Sequence, residues 1–268
     1  MKKEISREFK TYLRKKRTHK TIVLIIQIGL LVALISLWEI LAQRGIIDTF
    51  ILSSPSRIIK TIGDLYLSGS LALHIFTTLN EALIGFAIAT IGGYIIAIIL
   101  WWNETLRKIL DPYIVVLNSL PKIALGPIII IWVGVGTSAI VTMDILIMIV
   151  ISIITMLNAF SQIESSKIMV LKSMGANKFQ ILFKLIIPGS LKEFISLLKI
   201  NVGLTWVGTI MGEYLVSKAG LGYLIIYGSQ IFNLDLVMTG TILLCILATL
   251  MYFIVAIIEK IVNKRFNN

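Results

Sequence analysis

The chain has 268 residues, of which 57% are hydrophobic and 15% are charged, and its mean hydropathy is +0.94. Soluble domains carry about 25% charged residues, so this composition excludes an ordinary soluble enzyme or binding module. The net charge of +11 does not indicate a nucleic-acid partner, because the basic residues lie in short connectors between apolar segments. The sequence therefore predicts an all-α integral membrane protein.

Apolar segments that are long enough to cross a bilayer, which takes roughly 20 helical residues, recur along the whole chain. In chain order, six spans are predicted near residues 22–42, 75–101, 112–133, 138–160, 193–216 and 232–258. They form a transmembrane domain over residues 22–260, between a basic cytoplasmic segment (1–21) and a cytoplasmic tail (261–268). The first span is too long for the core of a signal peptide, so we expect it to remain as an anchor.

If the chain crosses the membrane six times, the loops rich in Lys and Arg all fall on one side of the membrane. Basic residues are concentrated in the first twenty residues, in the connector with Arg107 and Lys108, in residues 161–192 and in the tail. Because Lys and Arg in short loops accumulate on the cytoplasmic side, both termini are predicted to be cytoplasmic. With an odd number of spans, the positively charged loops would fall on both sides of the membrane.

Three parts of the chain differ from a plain apolar span. In the first outer loop, the sequence Ser53-Ser54-Pro55-Ser56 and the apolar residues after it predict a capped amphipathic surface helix. The third span contains three prolines, among them Pro121, which predict a kinked helix. The fifth contains Lys199 and Glu213, which lipid alone would penalise, so both spans are expected to face protein or water.

The longest cytoplasmic connector, residues 161–192, has the pattern of two short amphipathic helices joined by a turn at Gly175. Apolar residues flank this glycine on both sides, namely Met169, Val170, Met174, Phe179, Leu182, Phe183 and Ile186, and Pro188 follows them. The pattern predicts a compact cytoplasmic projection with an exposed apolar face. Membrane proteins rarely build such a loop without a partner.

The connector sequence K-S-M-G-A-N-K-F-Q-I-L-F-K-L-I-I-P resembles the cytoplasmic loop motif of binding-protein-dependent ABC importer permeases, with the central Gly and the closing Pro at the expected interval. Residues 52–57, 117–136 and 212–225 resemble the nitrate, sulfonate and taurine branch of these permeases. The resemblance covers roughly residues 35–260. It implies the fold of a type I ABC importer permease, an all-α bundle of about six transmembrane helices.

The resemblance also implies how the connector works. In that family the loop forms a coupling helix that seats in a groove of a separate ATPase subunit, so ATP-driven closure of two ATPases moves the spans. The residues carried over to this role are Lys172, Met174, Gly175, Ala176, Phe179, Leu182 and Pro188. Met174, Phe179 and Leu182 are expected to anchor the loop in the groove, and Gly175 permits close backbone approach.

The partners implied by the resemblance are two copies of the ATPase, a second permease copy in a homodimer, an extracytoplasmic solute-binding protein and membrane lipid. The sequence contains no G-x-x-x-x-G-K-[ST] phosphate loop, so ATP and Mg²⁺ belong to the ATPase and this chain is expected to bind no cofactor. His19 and His74 fall on opposite sides of the membrane, which excludes a shared metal site. The chain is therefore predicted to be a transport subunit and no enzyme, in the plasma membrane of a prokaryote.

The solute most in keeping with this branch is a small anion such as a sulfonate, taurine or nitrate. A vitamin or vitamin precursor, of the thiamine-pyrimidine or riboflavin type, is the alternative. A stand-alone secondary transporter would not need the cytoplasmic projection. A membrane scaffold would not explain polar residues in several spans.

Polar residues inside spans are costly and mark candidate positions along a translocation path. They are Asn118, Lys122, Asp144, Asn158, Lys199, Asn201, Thr205 and Glu213. For Lys122, a pathway contact and a helix-end lysine that reaches the interface remain open, and Lys199 fits a structural role. For Glu213, a gate or an interspan hydrogen bond competes with exposure at the interface. Small residues in the second and fifth spans, including Gly85 and Gly208, predict close helix approach.

Two positions depart from the family pattern. The loop motif usually begins with Glu-Ala-Ala, where this chain has Met169-Val170-Leu171. The second span often carries Arg before Gly-Phe, where this chain has Glu81. These departures predict a less polar ATPase contact and a different pairing between spans.

Overall fold

A computed structural model describes residues 7–266, and within that range the chain is almost entirely helical and contains no strand. The helices are α1 (Arg7–Gln43), α2 (Thr49–Leu52), α3 (Pro55–Leu67), α4 (Ser70–Trp102), α5 (Glu104–Ser119), α6 (Gly126–Val133), α7 (Thr137–Ser161), α8 (Ser165–Ser173), α9 (Lys178–Ile181), α10 (Ile187–Gly189), α11 (Leu191–Val216), α12 (Leu221–Gln230) and α13 (Leu234–Phe266). A 3₁₀ turn (Lys122–Leu125) precedes α6, and a π turn (Leu182–Ile186) joins α9 to α10.

Five of the described helices contain segments long and apolar enough to cross a membrane. These segments are Thr21–Gln43, Ser70–Trp102, Thr137–Ser161, Leu191–Val216 and Leu234–Lys264. The sixth crossing consists of two pieces, Glu104–Ser119 and Lys122–Val133, which meet at an angle of 85°. The predicted third span, 112–133, is therefore broken in two and is not a single kinked helix.

The break in the third span has a local cause. Leu120 leaves the helical conformation, with φ −64° and ψ 138°, as residues that precede proline generally do. Pro121 then has no N–H to continue the hydrogen-bond ladder. Pro112, by contrast, lies inside α5 without ending the helix. The angle is therefore set at Leu120 and Pro121.

The interior of the bundle lies where α4, α7 and α11 pack together, with α12 and α13 against α11. Phe160, Met148 and Leu197 are among its largest fully buried side chains. Glycine lets α4 and α7 approach closely, because a Cβ on Gly85 would lie 2.5 Å from the Cβ of Asp144. This confirms the predicted role of small residues at that position, whereas Gly203 has nothing within 4 Å of such an atom.

Contacts define the two ends of the bundle. At the end that carries residues 161–192, hereafter the connector end, Arg107 donates to Ser161 Oγ at 3.0 Å and Lys178 donates to the Trp102 carbonyl. At the opposite end, α3 packs against the start of α13. Ser54 accepts from the Arg57 backbone N–H at 3.4 Å and caps α3, which confirms the predicted capped helix.

The first span stands apart from the bundle. None of its apolar 18-residue window is buried within the chain, and Ile25 is 63% exposed. Its attachment is at its end, where Glu39 accepts from the Ser56 backbone N–H at 3.0 Å. The apolar surface of this helix is therefore left for lipid or another chain to cover.

Candidate functional site

The connector folds as two helices around a glycine turn, as predicted. Helix α8 ends at Ser173, and Gly175 adopts a left-handed conformation with φ +80°. Asn177 then starts α9 with a capping box: its side chain accepts from the Gln180 N–H at 2.8 Å, and the Gln180 side chain accepts from the Asn177 N–H at 2.9 Å. Because both helix ends at the turn have defined conformations, the projection is a compact unit.

The projection presents an apolar surface. Met174 is 78% exposed, Met169 is 64% exposed, and Phe179 and Phe183 are each 61% exposed. Of the other predicted coupling residues, Lys172, Gly175 and Pro188 are exposed and Ala176 is half-buried. We call Met169, Val170, Met174, Phe179 and Phe183 the connector apolar face. Several exposed large apolar side chains on one short projection are typical of an interaction surface.

Leu182 does not belong to this face, contrary to the prediction. Its side chain is 3% exposed and packs in the core with Phe160 and Ile186. The reason is packing: the π turn begins at Leu182, and this side chain lies against α4 and α7, whereas Phe179 and Phe183 stack with their rings 6.4 Å apart. Trp102 packs edge-on against Phe179 at 4.7 Å and ties the connector to α4.

Three of the predicted pathway residues lie on accessible surfaces. Asn118 and Asn158 are exposed, and Lys122 is half-buried. The Lys122 ammonium donates to the carbonyl of Asn118 at 3.0 Å and thereby satisfies a backbone acceptor at the end of α5. Lys122 thus stabilises the broken third span.

Lys199 is part of an ion pair. Its Nζ lies 2.6 Å from Oε2 of Glu259 on α13, and the two side chains are 27% and 34% exposed. This placement supports the structural role predicted for Lys199. Glu259 was not predicted as a partner, because it is 60 positions from Lys199 and no local pattern links the two residues.

Asn201 and Thr205 lie in the interior, contrary to the prediction that they line a path. Asn201 is fully buried and donates to Thr90 Oγ1 at 2.8 Å and to Ser152 Oγ at 2.9 Å. Thr205 donates to the Asn201 carbonyl at 2.8 Å. The Asn201 bonds join α4, α7 and α11, so its amide donors are used across helices rather than facing a channel, although its Oδ1 has no partner among the described residues.

Asp144 is also enclosed between helices and does not face a path. It is 0% exposed, and its Oδ2 accepts from the Thr209 hydroxyl at 2.8 Å. Gly85 and Gly208 lie against the side chain from α4 and α11, leaving no room for a larger residue at either position. The carboxyl group therefore occupies a slot that two glycines create.

Glu213 caps helix α12 and is 1% exposed, so it too is withdrawn from any path lining. Its Oε2 accepts from the backbone N–H groups of Gly222 at 2.5 Å and Tyr223 at 3.3 Å. These bonds join the end of α11 to the short helix that follows it and not to another span, so the interspan hydrogen bond remains a prediction, while the burial of Glu213 excludes exposure at the interface. A carboxylate at a helix N-terminus is favoured by the helix dipole.

Two residues that were not predicted to contact a helix end complete this cap. Thr78 accepts from the Leu221 N–H at 2.7 Å, and His74 Nδ1 accepts from the Gly220 N–H at 3.0 Å. Both lie on α4, about 140 residues before their partners. Their spacing of four residues could have indicated a shared helix face, but not the partner.

Glu81, the family departure, lies next to this cap. It is 2% exposed, and its Oε1 accepts from the hydroxyl of Thr137 at 2.7 Å, which links α4 to the start of α7. Within residues 7–266, no three Asp, Glu, His or Cys side chains converge closely enough to hold a metal ion.

Comparisons with known proteins agree with this architecture. Residues 89–268 match the family described as binding-protein-dependent transport system inner membrane component. The taurine transport system permease protein of Escherichia coli is 24% identical over 231 residues, 84% of each chain. The formylaminopyrimidine transport permease protein of Halalkalibacterium halodurans is 31% identical over 191 residues, 71% of this chain and 75% of that one.

Two solved structures share the fold. A chain of the inward-facing MetNI methionine ABC transporter has a TM-score of 0.62 at 23% identity and covers 70% of this chain. A chain of a bacterial alginate ABC transporter, in complex with a periplasmic protein that holds an alginate pentasaccharide, has a TM-score of 0.65 at 13% identity and covers 92%. The alignments span 93% of both solved chains. These similarities confirm the predicted type I importer permease bundle.

Proposed function

Because this chain belongs to the family of binding-protein-dependent transport system inner membrane components, we propose that two copies of it form the membrane conduit of an importer driven by a separate ATPase. The connector apolar face is the observation that carries this proposal. The positively charged loops favour a cytoplasmic position for the connector end. ATP and Mg²⁺ are bound by the ATPase, and this chain supplies no cofactor site.

The connector suits a coupling role mechanically. Met174 is 78% exposed at the tip of the projection, beside the turn at Gly175. Beyond the turn, α9 passes through the π turn and α10 into α11 with little interruption, since Ser190 N–H bonds to the Ile186 carbonyl and Phe194 N–H to the Ser190 carbonyl, each at 3.0 Å. A displacement of the tip is therefore transmitted to a membrane span.

The opposite end suits a second partner. The alginate transporter resembling this chain was solved in complex with a substrate-bound periplasmic protein. By analogy, α3 and the start of α13 would meet a solute-binding protein. The two permease copies would meet along α5 and α6, where Tyr113, Ile131 and Trp132 are 64%, 81% and 79% exposed. Asn118 and Lys122 on the same segment would then face the path.

The solute that we favour is a small anion such as taurine, another sulfonate or nitrate. The taurine permease and the aliphatic sulfonates permease of Bacillus subtilis each match this chain at 24% identity over at least 84% of its length. The ammonium of Lys122 supplies a positive group at the broken span. A pyrimidine vitamin precursor is the second candidate, because the formylaminopyrimidine permease has the higher identity of 31%.

Co-purification tests the ATPase contact. The tagged chain is expressed at native level, and a Walker-motif ATPase is expected to co-purify at matching stoichiometry. Met174→Asp and Gly175→Asp are expected to abolish recovery. Tyr66→Asp is the matched control, because Tyr66 is 73% exposed on α3 at the opposite end. If wild type recovers no ATPase, or the three variants behave alike, the coupling role of the connector is rejected.

Uptake into proteoliposomes that hold the whole complex tests the solute. ATP-dependent uptake of taurine or an alkane sulfonate, competed by nitrate and not by a pyrimidine precursor, supports the anion. The reverse pattern assigns the vitamin precursor. Uptake that persists without ATP and follows an ion gradient would instead indicate a secondary transporter.

A further inference from the structure

An apolar groove of about 690 Å³ lies on the outside of the bundle at the connector end. Ile95, Ile99 and Trp102 of α4 line one side of it, and Phe179 and Phe183 of the connector line another. Phe179 and Trp102 join the two sides through their edge-on contact, with the ring centroids 4.7 Å apart. Small-molecule sites have volumes of about 300–1,000 Å³, so the groove is large enough to hold an apolar chain.

The groove lies where the hydrocarbon of a membrane meets the headgroups. Its α4 residues belong to the last turns of the spanning segment Ser70–Trp102, which ends in Trp101 and Trp102. Tryptophan rings are enriched at the headgroup level at the ends of membrane spans. From Tyr94 to Trp102 the helix rises about 12 Å, so the groove extends from that level into the hydrocarbon. A molecule that fills it needs an apolar chain and one end near the membrane surface.

The end of the groove near the surface is positively charged. Lys178 is exposed, its Nζ lies 5.2 Å from the centroid of the Trp102 ring, and it donates to the Trp102 carbonyl. The connector, residues 161–192, contains five lysines and one acidic residue, Glu164, which pairs with Lys167 at 3.1 Å. No ion pair among the described residues includes Lys178. The charge at this end is therefore complementary to an anion.

We propose that the groove binds one acyl chain of an anionic phospholipid whose phosphate contacts Lys178. The two parts of such a lipid match the two parts of the site, and basic groups beside membrane spans attract anionic headgroups. An ammonium has three N–H donors, of which the Trp102 carbonyl takes one, so two remain for phosphate oxygens. Helix α1 of a second copy is a less suitable occupant, because the first twenty residues of the chain are themselves strongly basic.

The lipid site divides the connector apolar face into two parts. Phe179 and Phe183 line the groove, whereas Met169, Val170 and Met174 do not. A lipid in the groove contacts both α4 and the connector, so it stabilises the projection on the bundle before any ATPase binds. The tip at Met174 stays available for the ATPase. The lipid site therefore does not depend on the ATPase or on the solute.

Native mass spectrometry of the purified and delipidated chain, without any ATPase, tests the charged part of the site. Dioleoyl phosphatidylglycerol and dioleoyl phosphatidylcholine are added separately, because they share acyl chains and differ in headgroup charge. The wild type is expected to bind one phosphatidylglycerol more tightly than phosphatidylcholine. Lys178→Ala is expected to weaken that binding about fivefold.

Lys218→Ala is the matched control for the charge, because Lys218 is an exposed lysine at the opposite end of the bundle. This variant is expected to bind phosphatidylglycerol as the wild type does. Equal binding of the two lipids by the wild type would mean that lipid only surrounds the bundle without a specific site. That result, or equal binding by all three proteins, overturns the proposal.

Filling the groove tests the part that holds the acyl chain. Ile95→Trp places an indole in the groove and is expected to abolish phosphatidylglycerol binding. Ile91→Trp is the matched control, since Ile91 is exposed one turn earlier on α4 and does not line the groove. If Ile95→Trp keeps the lipid, the proposal is wrong. It is also wrong if the wild type is a dimer without bound lipid that Ile95→Trp dissociates, because a second copy then occupies the groove.

Fluorescence quenching gives a readout that does not require Ile95→Trp to fold. Phosphatidylglycerol brominated on its acyl chains is added at one molecule per chain, and it quenches only nearby tryptophans. Trp102→Phe is expected to lose a large share of the wild-type quenching. Trp132→Phe is expected to lose little, because Trp132 lies on α6, away from the groove. Quenching that is unchanged in Trp102→Phe, or absent in the wild type, rejects the lipid site.

Discussion

Arg57 and Asp235 are 178 residues apart, yet the guanidinium donates to Asp235 Oδ2 from Nε at 3.0 Å and from Nη2 at 2.7 Å. The buried hydroxyl of Ser53 donates to the other oxygen of the same carboxylate at 2.6 Å. One carboxylate at the start of α13 therefore binds both the loop before α3 and α3 itself. The family-like sequence of residues 52–57 owes its position to this contact.

This contact predicts a measurable coupling energy. Asp235→Ala is expected to lower the free energy of unfolding by about 1–2 kcal/mol, because it leaves Ser53 and Arg57 without their acceptor. A double-mutant cycle with Arg57→Ala, followed by thermal unfolding in detergent, should give a coupling energy of about 1 kcal/mol. Additive effects of the two substitutions would mean that the pair contributes nothing.

The close packing of glycine against Asp144 predicts that Gly→Ala has different effects on stability at two positions of the bundle. Gly85→Ala is expected to destabilise the chain by about 1–3 kcal/mol, because the new methyl group would lie 2.5 Å from the Asp144 Cβ. Gly203→Ala is the matched control, since that position is open and alanine is the better helix former. Thermal unfolding of both variants checks this. Similar losses in both would argue against tight packing at the slot.

The interior position of Asn201 predicts a loss of stability without a loss of solute affinity. Asn201→Leu leaves the hydroxyls of Thr90 and Ser152 without their donor and should cost about 1–2 kcal/mol. The half-saturating solute concentration of the folded fraction is expected to stay at the wild-type value. An increase in the half-saturating concentration without a loss of stability would show that Asn201 lines the translocation path.

The Lys199–Glu259 ion pair predicts that exchanged charges are tolerated. Lys199→Glu alone is expected to lower the melting temperature, because it places two carboxylates together. The double variant Lys199→Glu, Glu259→Lys should recover at least half of that loss and retain uptake. If uptake stays lost while the melting temperature recovers, Lys199 contacts the solute after all.

The sequence predicted those features that local patterns determine. Apolar length gives the membrane crossings, and the apolar period around Gly175 gives the helix–turn–helix of the connector. Leu182 was misplaced because the packing of the connector on α4 decides which side of α9 and of the following π turn is buried. The partners of Asp144, Asn201 and Glu213 are brought together by helix packing, since Thr209 is 65 residues from Asp144. Polarity inside a span cannot distinguish a channel lining from such contacts.

The break at Leu120 and Pro121 has a consequence for hydration. A helix that ends within a crossing leaves carbonyl groups without intrahelical donors, and hydrocarbon cannot satisfy them. The Lys122 ammonium donates a hydrogen bond to one of these carbonyl groups. Leu120 and Ile123 are 41% and 45% exposed, so the chain itself does not cover the break. Water or a second chain has to reach it. The break therefore exposes polar backbone that a continuous helix would satisfy internally.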